Sequence, residues 1–257
     1  MRGGSVRGYR ELAEELRRRI NEGEIRVGDT LPRITDLMRE HGLARQTVRD
    51  AVGLLADEGL VVTLRRGGTV VRHRSPVQIP LSRYDRAMTP GGDRGPWETA
   101  CAEQGLDGYM RLVSVAHPAA PEDLARLLEL PPGAELVHRR RHAMIRPDDV
   151  VQVQDAWYPA AIAEAGGISG TEKVKGGVFR ALTAAGITPS TATEEVASRV
   201  PTPEEASELR IGGRIPVLTV ERVTRDTSGS PIEVLRTVGP ADRLRLVYAD
   251  LPLKEAI

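Results

Sequence analysis

The stretch that decides the fold spans residues 43–72 and reads LARQTVRDAVGLLADEGLVVTLRRGGTVVR. From Arg45 to about Glu58, apolar side chains recur every three to four residues, which is the period of an amphipathic helix. The inward-facing residues are Val48, Ala51, Val52 and Leu55. Gly59 suits the end of this helix, and LVVTL, RRGG and TVVR then predict a strand, a glycine turn and a second strand.

Two further helices are predicted upstream of this stretch. Leucine and isoleucine recur every four residues between Tyr9 and Glu22, and a short helix is expected over roughly Ile34 to His41. Gly42 is placed to take the left-handed conformation that ends the short helix and starts a tight turn. Two helices separated by a short glycine-containing turn and followed by a β-hairpin make a winged helix-turn-helix.

The outer face of the third helix carries residue types that bind DNA. Arg45 and Arg49 can contact guanine or phosphate, Gln46 can contact adenine, and Thr47 offers a hydroxyl to phosphate. At the hairpin tip, two arginines stand beside two glycines in residues 65–68, and bare glycine backbone allows close approach to a groove. A solvated helix face is the alternative, but the ordered set of helices, turn and basic hairpin favours DNA binding.

Charge divides the chain into two unlike parts. The 257 residues carry 36 Lys plus Arg against 36 Asp plus Glu. Residues 1–74 hold 15 Arg, no Lys and 11 acids, a net charge of +4, whereas residues 75–257 hold 21 bases and 25 acids, a net charge of −4. The overall zero argues against a polybasic coat on nucleic acid. The asymmetry predicts a small basic module joined to a larger acidic one.

Composition excludes several other classes of protein. No apolar run approaches the roughly 20 residues of a membrane span, and MRGGSVRGYR lacks the apolar stretch of a signal peptide, so a soluble cytoplasmic protein is expected. Cys101 is the only cysteine, which excludes an internal disulfide and a thiolate metal cluster. We expect Cys101 to be structural, because no nearby histidine is marked as a base. Neither a cofactor nor a metal is predicted.

The larger module contains an internal repeat. PEDLARLLELPPGAELVHRRR, from Pro121, parallels PEEASELRIGGRIPVLTVER, from Pro203, and after one residue of slippage positions correspond at an offset of 81, as in Arg141 with Arg222. Each unit is predicted to form a helix, a strand, a polar turn and a second strand. A capping box, T-x-x-E from residue 202, supports the second helix start. Two such units across a shared sheet commonly enclose a ligand cleft.

The strand LVHRRRHAM supplies polar groups for this cleft. Alternation places Arg139 and Arg141 on one face, and His138, Arg140 and His142 on the other. Because arginines are costly to bury without anions, one face is predicted to meet a ligand carboxylate or phosphate. The alternative is a solvated edge strand paired with surface acids. The two histidines share a face but lack a third ligand, so a metal site is not predicted.

The first module resembles the DNA-binding domain of GntR-type bacterial transcription regulators. The resemblance rests on G-D-x-L-P before the second helix, R-x-T-V-R-x-A-x-x-x-L-x-x-x-G-L across the third, and G-G-T-V-V in the hairpin. The family usually has a Ser-Glu-Arg run at the start of the second helix, where this chain has Arg33 for the capping serine and Thr35 for the arginine. The residues predicted to contact DNA are Arg33, Thr35, Arg45, Gln46, Thr47, Arg49, Arg65, Arg66, Gly67, Gly68 and Thr69.

Residues from about 97 to 252 resemble the UTRA domain of the HutC subgroup of GntR regulators. The matching stretches include VQVQDAWYPA, GGVFRALTAAG, EEVASRVPTPEEASEL and VYADLPL. The resemblance implies dimerisation and a bound small metabolite, often a phosphorylated sugar or an organic acid. A polar residue expected beside the glycines is absent here. The residues predicted to contact the ligand are Arg139, Arg141, Gln154, Gly176, Gly177, Val178, Phe179, Glu233 and Tyr248.

The chain is therefore predicted to be an α+β protein. A winged helix-turn-helix domain at 1–74 and a linker at 75–96 precede a UTRA domain of chorismate-lyase-like α/β fold at 97–257. We expect a homodimeric repressor, not an enzyme, whose binding to a double-stranded DNA operator is controlled by a small anionic metabolite. Two alternatives stay open: a catalytic C-terminal domain of chorismate-lyase-like fold, and a constitutive DNA-binding regulator with no effector.

Overall fold

The computed structural model describes residues 8–64, 67–80 and 94–249. The chain divides into two compact units, one formed by residues 1–75 with 200–216 and the other by residues 76–199 with 217–257. A winged helix-turn-helix lies in the first unit and a mixed α/β domain in the second, which confirms the predicted fold class. Within the described ranges, no helix is both long enough and apolar enough to span a membrane.

Three helices and a hairpin form the DNA-binding fold of the first unit. They are α1 (Tyr9–Asn21), α2 (Ile34–His41), α3 (Arg45–Asp57), β1 (Val61–Leu64) and β2 (Gly68–Val71). The two strands pair antiparallel. The apolar stripes of the three helices and the inner side of the hairpin share one hydrophobic core. Apolar periodicity predicted this arrangement because each helix is amphipathic and buries a single face.

Gly42 makes the turn between α2 and α3. Its φ is +67°, in the left-handed region that favours glycine. Arg33 is the N-cap of α2 and makes no capping hydrogen bond through its side chain, so α2 lacks the stabilisation of about 1 kcal/mol that a serine cap provides. After the turn, Val48 and Leu55 of α3 are fully buried. The opposite face of α3 is thereby left to solvent.

The second unit contains a six-stranded antiparallel sheet and a separate pair of strands. The strands of this unit are β3 (Val77–Pro80), β4 (Gly108–Ala116), β5 (Leu136–Ile145), β6 (Asp149–Pro159), β7 (Pro189–Arg199), β8 (Val217–Asp226), β9 (Pro231–Pro240) and β10 (Leu244–Val247). The strand order in the large sheet is β4-β5-β6-β9-β8-β7, and β3 and β10 form a parallel pair beside it.

Short helices connect the strands. Those described in the second unit are α4 (Pro96–Ala102), α5 (Glu122–Leu127), α6 (Ala160–Ala165) and α7 (Val178–Ala184). A further helix, α8 (Pro203–Glu208), groups with the first unit. Thr202 accepts a hydrogen bond from the backbone N–H of Glu205, whose side chain bonds back to the Thr202 N–H. This is the capping box predicted from the sequence.

The large sheet converts the sequence repeat into an approximate two-fold arrangement. β7 begins 81 residues after β4, and β8 begins 81 residues after β5. Each half has a register shift at the same place, after Ala143 in β5 and after Thr224 in β8. The halves meet where β6 pairs with β9. Residues 81 apart therefore occupy related positions on either side of that junction.

β3 lies inside the stretch 75–96, whose composition predicted a linker. Val77 is fully buried, and it packs with Trp97 and Leu244 in one apolar cluster. The strand pairs with β10, which is distant in sequence, and a local pattern of four residues does not reveal such a partner. Residues 81–93 of the predicted linker lie outside the part of the chain that the structure describes.

Leu55→Ala is expected to lower the free energy of unfolding of the first unit by about 2–5 kcal/mol, because it opens a cavity at a fully buried position. Both tryptophans, Trp97 and Trp157, lie in the second unit, so loss of helical circular dichroism without a change in tryptophan fluorescence reports unfolding of the first unit. Leu54→Ala, at a partly buried neighbour, is the matched control and should cost less. Equal losses for the two variants in urea titrations would contradict this packing.

Candidate functional site

The outer face of α3 presents arginines without partners. Arg45 and Arg49 are exposed, and neither forms a hydrogen bond or ion pair with any residue in the described ranges. On α1, by contrast, Arg17 pairs with Glu58 at 2.7 Å, and Arg18 lies 2.9 Å from Glu24. Arg17 and Arg18 of α1 are thus neutralised within the protein, whereas the arginines of α3 remain available to phosphates and base edges.

The other predicted DNA contacts of the helices lie on α3 or at the start of α2. Gln46 is exposed and donates from Nε2 to Asp50 Oδ1 at 2.7 Å, while Thr47 is partly buried. Arg33, the N-cap of α2, and Thr35, in its first turn, are both exposed. Three of these four side chains are thus open to solvent.

The wing is described only in part. Arg65 and Arg66 lie outside the described residues. Gly67 and Gly68 are exposed, and Gly68 has a φ of +73°. Thr69 lies in β2, where its Oγ1 is 3.1 Å from an opposing threonine hydroxyl across the hairpin. The predicted wing glycines are thus at the turn, and the hydroxyl of Thr69 has a partner within the protein.

A cavity of about 570 Å³ lies on one face of the six-stranded sheet, and its size suits a small metabolite. Alternate residues of a strand share a face, so β5 directs Arg139 and Arg141 to the cavity and β6 directs Gln152 and Gln154 to it. The starts of α4 and α7 also line it. Eight of the nine predicted ligand-binding residues are in the lining; Tyr248, at 45% exposure after β10, is not.

A buried ion pair occupies one half of this cavity. Arg222 Nη2 donates to Glu233 Oε2 at 2.6 Å, and Thr224 donates to the same oxygen at 3.2 Å. Tyr158 donates to Glu233 Oε1 at 2.5 Å, and all four side chains are buried. Arg222 also lies over the ring of Phe179, with 5.2 Å from its Cζ to the ring centroid. The protein itself thus supplies the partners of Glu233.

The electrostatics of this network follow from its burial. Burial alone would raise the pKa of Glu233, but the charge of Arg222 and the hydrogen bonds from Tyr158 and Arg222 hold the pKa of Glu233 below its ordinary value. Burial raises the pKa of Tyr158 well above its ordinary value. Glu233 is therefore a carboxylate at neutral pH, and Tyr158 is a protonated donor to it.

The two arginines of β5 differ in their surroundings. Arg139 is buried and donates from Nη1 to the carbonyl oxygens of Ile168 and Gly170. Burial, together with the nearby charge of Arg141, lowers the pKa of Arg139. Arg141 has no hydrogen bond or ion pair with any residue that the structure describes, and its Nε is buried. Arg141 is therefore a cavity cation whose counter-ion a ligand can supply.

The backbone conformation explains the paired glycines before α7. Gly176 has a φ of +73° and Gly177 a φ of +87°, both in the left-handed region that favours glycine. A Cβ at Gly177 would lie 3.4 Å from the Cα of Gly95, which is ordinary van der Waals contact. The two positive φ angles therefore favour glycine here, and Val178 follows as a buried residue of the cavity wall.

Cys101 lies in the protein interior, and His138 and His142 each have a polar partner within the protein. Cys101 is buried, and burial raises the pKa of its thiol to about 12. Nε2 of His138 lies 2.7 Å from Asp155 Oδ1. On the same strand, Nδ1 of His142 lies 3.0 Å from Arg111 Nη2.

Comparison with known proteins identifies the family. The profile of the bacterial regulatory proteins of the gntR family matches residues 8–71, and that of the UTRA domain matches residues 103–245, more than half of the chain. The chain belongs to the gntR family of bacterial regulatory proteins. An HTH-type transcriptional regulator of Streptomyces coelicolor is 31% identical to it over 246 residues, which cover 93% of this chain and 91% of that protein.

A second relative is also named as a transcriptional regulator, and a solved structure shares the fold. The HTH-type transcriptional repressor NagR of Bacillus subtilis is 25% identical over 248 residues, 93% of each chain. The crystal structure of PhnF from Mycobacterium smegmatis has a TM-score of 0.61 to this structure at 24% identity, covering 94% of this chain and 99% of that one. The expectation of a DNA-binding transcription regulator with a GntR winged helix-turn-helix and a UTRA domain is thus confirmed.

Glu233→Gln is expected to lower the free energy of unfolding of the second unit by about 3–5 kcal/mol at pH 7, because it removes the closer carboxylate partner of the buried Arg222 and leaves only Glu194 at 3.9 Å. Glu221→Gln is the matched control, since Glu221 pairs with the half-exposed Arg236 and its loss should cost about 1 kcal/mol or less. Urea unfolding followed by tryptophan fluorescence measures both.

The Arg222–Glu233 ion pair also predicts how the stability of the second unit depends on pH. The pKa of Glu233 is lower in the folded state than the unfolded value of about 4.3, so its contribution is complete above that value. The contribution is lost as the pH falls through the folded-state pKa. The difference in free energy of unfolding between wild type and Glu233→Gln should therefore become smaller only at acidic pH. A difference that becomes smaller between pH 6 and 8, roughly where histidine titrates, would contradict the assignment.

Proposed function

We propose that the protein is a homodimeric repressor of the HutC type whose operator binding responds to a small metabolite with an anionic group. The observation that carries this proposal is Arg141, a cation that lines a 570 Å³ cavity and has no hydrogen bond or ion pair with any described residue, although its charge acts on the nearby Glu233. A guanidinium in such a place is stabilised by an anion. This favours a regulator with a working effector site over a constitutive one.

On the DNA side, α3 enters the major groove. Arg45 and Arg49 supply unpaired guanidinium groups to bases and phosphates, with Gln46 and Thr47 beside them. The wing residues 65–69 follow the adjacent backbone or minor groove. In a homodimer, two such heads read half-sites about one helical turn apart.

On the effector side, the ligand binds against the sheet face that carries Arg139, Arg141 and Gln154. The walls of its site are formed by the start of α7, residues 176–179, and by the network around Glu233. To regulate, the ligand must bind the cavity more tightly in one arrangement of the DNA-binding heads than in the other, because equal affinity shifts no equilibrium. The relatives named as transcription regulators support this reading over a catalytic one.

Arg49→Ala is expected to weaken operator binding by about 1–3 kcal/mol, because it removes an unpaired α3 guanidinium. Fluorescence anisotropy of a labelled operator duplex at fixed salt measures the loss. Arg18→Ala is the matched control, since Arg18 is an exposed arginine already paired with Glu24 on the same unit. An unchanged affinity in folded Arg49→Ala, or an equal loss in Arg18→Ala, would remove Arg49 from the interface.

Arg141→Ala is expected to abolish the response to effector while leaving operator affinity intact. The reason is that Arg141 serves no hydrogen bond or ion pair in the described fold, so its loss should spare the structure. A thermal-shift screen of phosphosugars, amino-acid derivatives and aromatic acids identifies a ligand, and a DNA-binding assay follows the response. Persistent induction with normal ligand affinity in Arg141→Ala would contradict the proposed site.

A further inference from the structure

The two halves of the cavity are related by the repeat, but their charges do not match. Arg141 and Arg222 lie 81 residues apart on β5 and β8 and occupy corresponding positions. Arg222 is opposite Leu235 in the register of the sheet, and its counter-ion Glu233 is two residues along the same strand. Arg141 is opposite Gln154. The residue that corresponds to Glu233 is two positions along from Gln154.

That residue is Gln152, a neutral amide where the other half has a carboxylate. Gln152 is buried in the cavity lining, and its Oε1 accepts a hydrogen bond from Gln154 at 3.1 Å. Because residues two apart on a strand share a face, Gln152 stands toward Arg141 as Glu233 stands toward Arg222. The fold thus has a place for a carboxylate beside Arg141, and the side chain there carries none.

A second unsatisfied group lines the same cavity. Glu98, on α4, accepts a hydrogen bond at Oε1 from the backbone N–H of Met110 at 3.2 Å. Its Oε2 is buried and has no hydrogen-bond partner in the described structure. A buried carboxylate oxygen without a donor is costly, and a ligand donor would relieve that cost. Phe179 is the residue 81 positions later, which corresponds to Glu98 in the other half. Only one half of the cavity therefore has a carboxylate at this position.

The lining side chains that are not exposed carry no net charge. They are three arginines and three glutamates: Arg139, Arg141, Arg222, Glu98, Glu194 and Glu233. The exposed part of the lining has two basic residues and one acidic residue, a net charge of +1. A doubly charged phosphate would leave this interior with a net charge, whereas a ligand with one positive and one negative group would not. Apolar side chains such as Trp97, Met110 and Leu112 complete the walls and suit an apolar body.

We propose that the effector is a zwitterion of the amino-acid type, whose carboxylate pairs with Arg141 and whose protonated amine donates to Glu98. The carboxylate takes the place that the Glu233 side chain has in the other half. The apolar side chain of the ligand packs against the walls of the cavity. This inference rests on the proposed function, because it names the chemical class of the ligand for the same cavity.

The test uses the full-length protein and the twenty standard L-amino acids as probes in isothermal titration calorimetry. At least one amino acid with an apolar side chain should bind to wild type. Its deaminated acid and its decarboxylated amine should each bind at least about 10-fold more weakly, because each lacks one charged partner. No binding by any of the twenty amino acids, or equally tight binding of the deaminated acid, would overturn the proposal.

Two variants locate the charges. Glu98→Gln should lower the affinity for the amino acid by about 10- to 100-fold but leave the affinity for the deaminated acid unchanged, since only the amine contacts Glu98. Gln152→Glu should abolish binding, because it restores the internal counter-ion of Arg141. Introduced into the wild-type protein, Gln152→Glu should also raise the melting temperature. Introduced into the Arg141→Gln variant, it should not. Glu164→Gln, at an exposed glutamate on α6 outside the lining, is the matched control and should bind as wild type does.

The outcomes separate this inference from the proposed function. If a phosphosugar or a deaminated acid binds through Arg141 and changes operator affinity while amino acids do not bind, the regulator stands and the zwitterion is wrong. If no compound of any class changes operator affinity, the proposed function itself fails. If Gln152→Glu does not fold, the comparison of Glu98→Gln with the deaminated probe still decides the role of the amine.

Discussion

A guanidinium taken out of water needs a counter-ion, and the second unit depends on how it meets that requirement at Arg222. Glu233, Tyr158 and Thr224 close a buried network around this arginine, across the strands at the centre of the sheet. The network fixes Glu233 as a carboxylate whose partners come from the protein. The corresponding arginine in the other half, Arg141, lacks such a network and faces the cavity. The same sheet therefore holds one arginine that is paired with an internal carboxylate and a corresponding arginine, Arg141, that has no such ion pair in the described structure.

The first unit makes the same distinction between paired and unpaired arginines on its surface. Arg17 and Arg18 of α1 are paired with glutamates of their own unit. Arg45 and Arg49 of α3 have no such pairs among the described residues. The excess positive charge of residues 1–74 is small, so its placement matters more than its amount. Two arginines without such pairs lie on the helix that a winged helix-turn-helix uses for recognition.

Much of the fold was predictable because its signals are local. Amphipathic periodicity gave α1 to α3 nearly to the residue, Gly42 marked the turn, and the T-x-x-E motif marked α8. Arg141 was predictable from strand alternation, and Arg222 was within reach as its partner in the repeat. β3 was missed because its partner β10 is far away in sequence. Glu98 was missed because only the folded chain brings α4 to the sheet.

The proposed regulation requires that ligand binding in the second unit is coupled to DNA binding by the first. Coupling of this kind is reciprocal, because the two binding free energies share one thermodynamic cycle. The direct measurement is the affinity of the identified ligand for the full-length protein, with and without saturating operator duplex at constant salt. We expect the operator to change ligand affinity by the same factor by which the ligand changes operator affinity. An unchanged ligand affinity would contradict the proposed coupling.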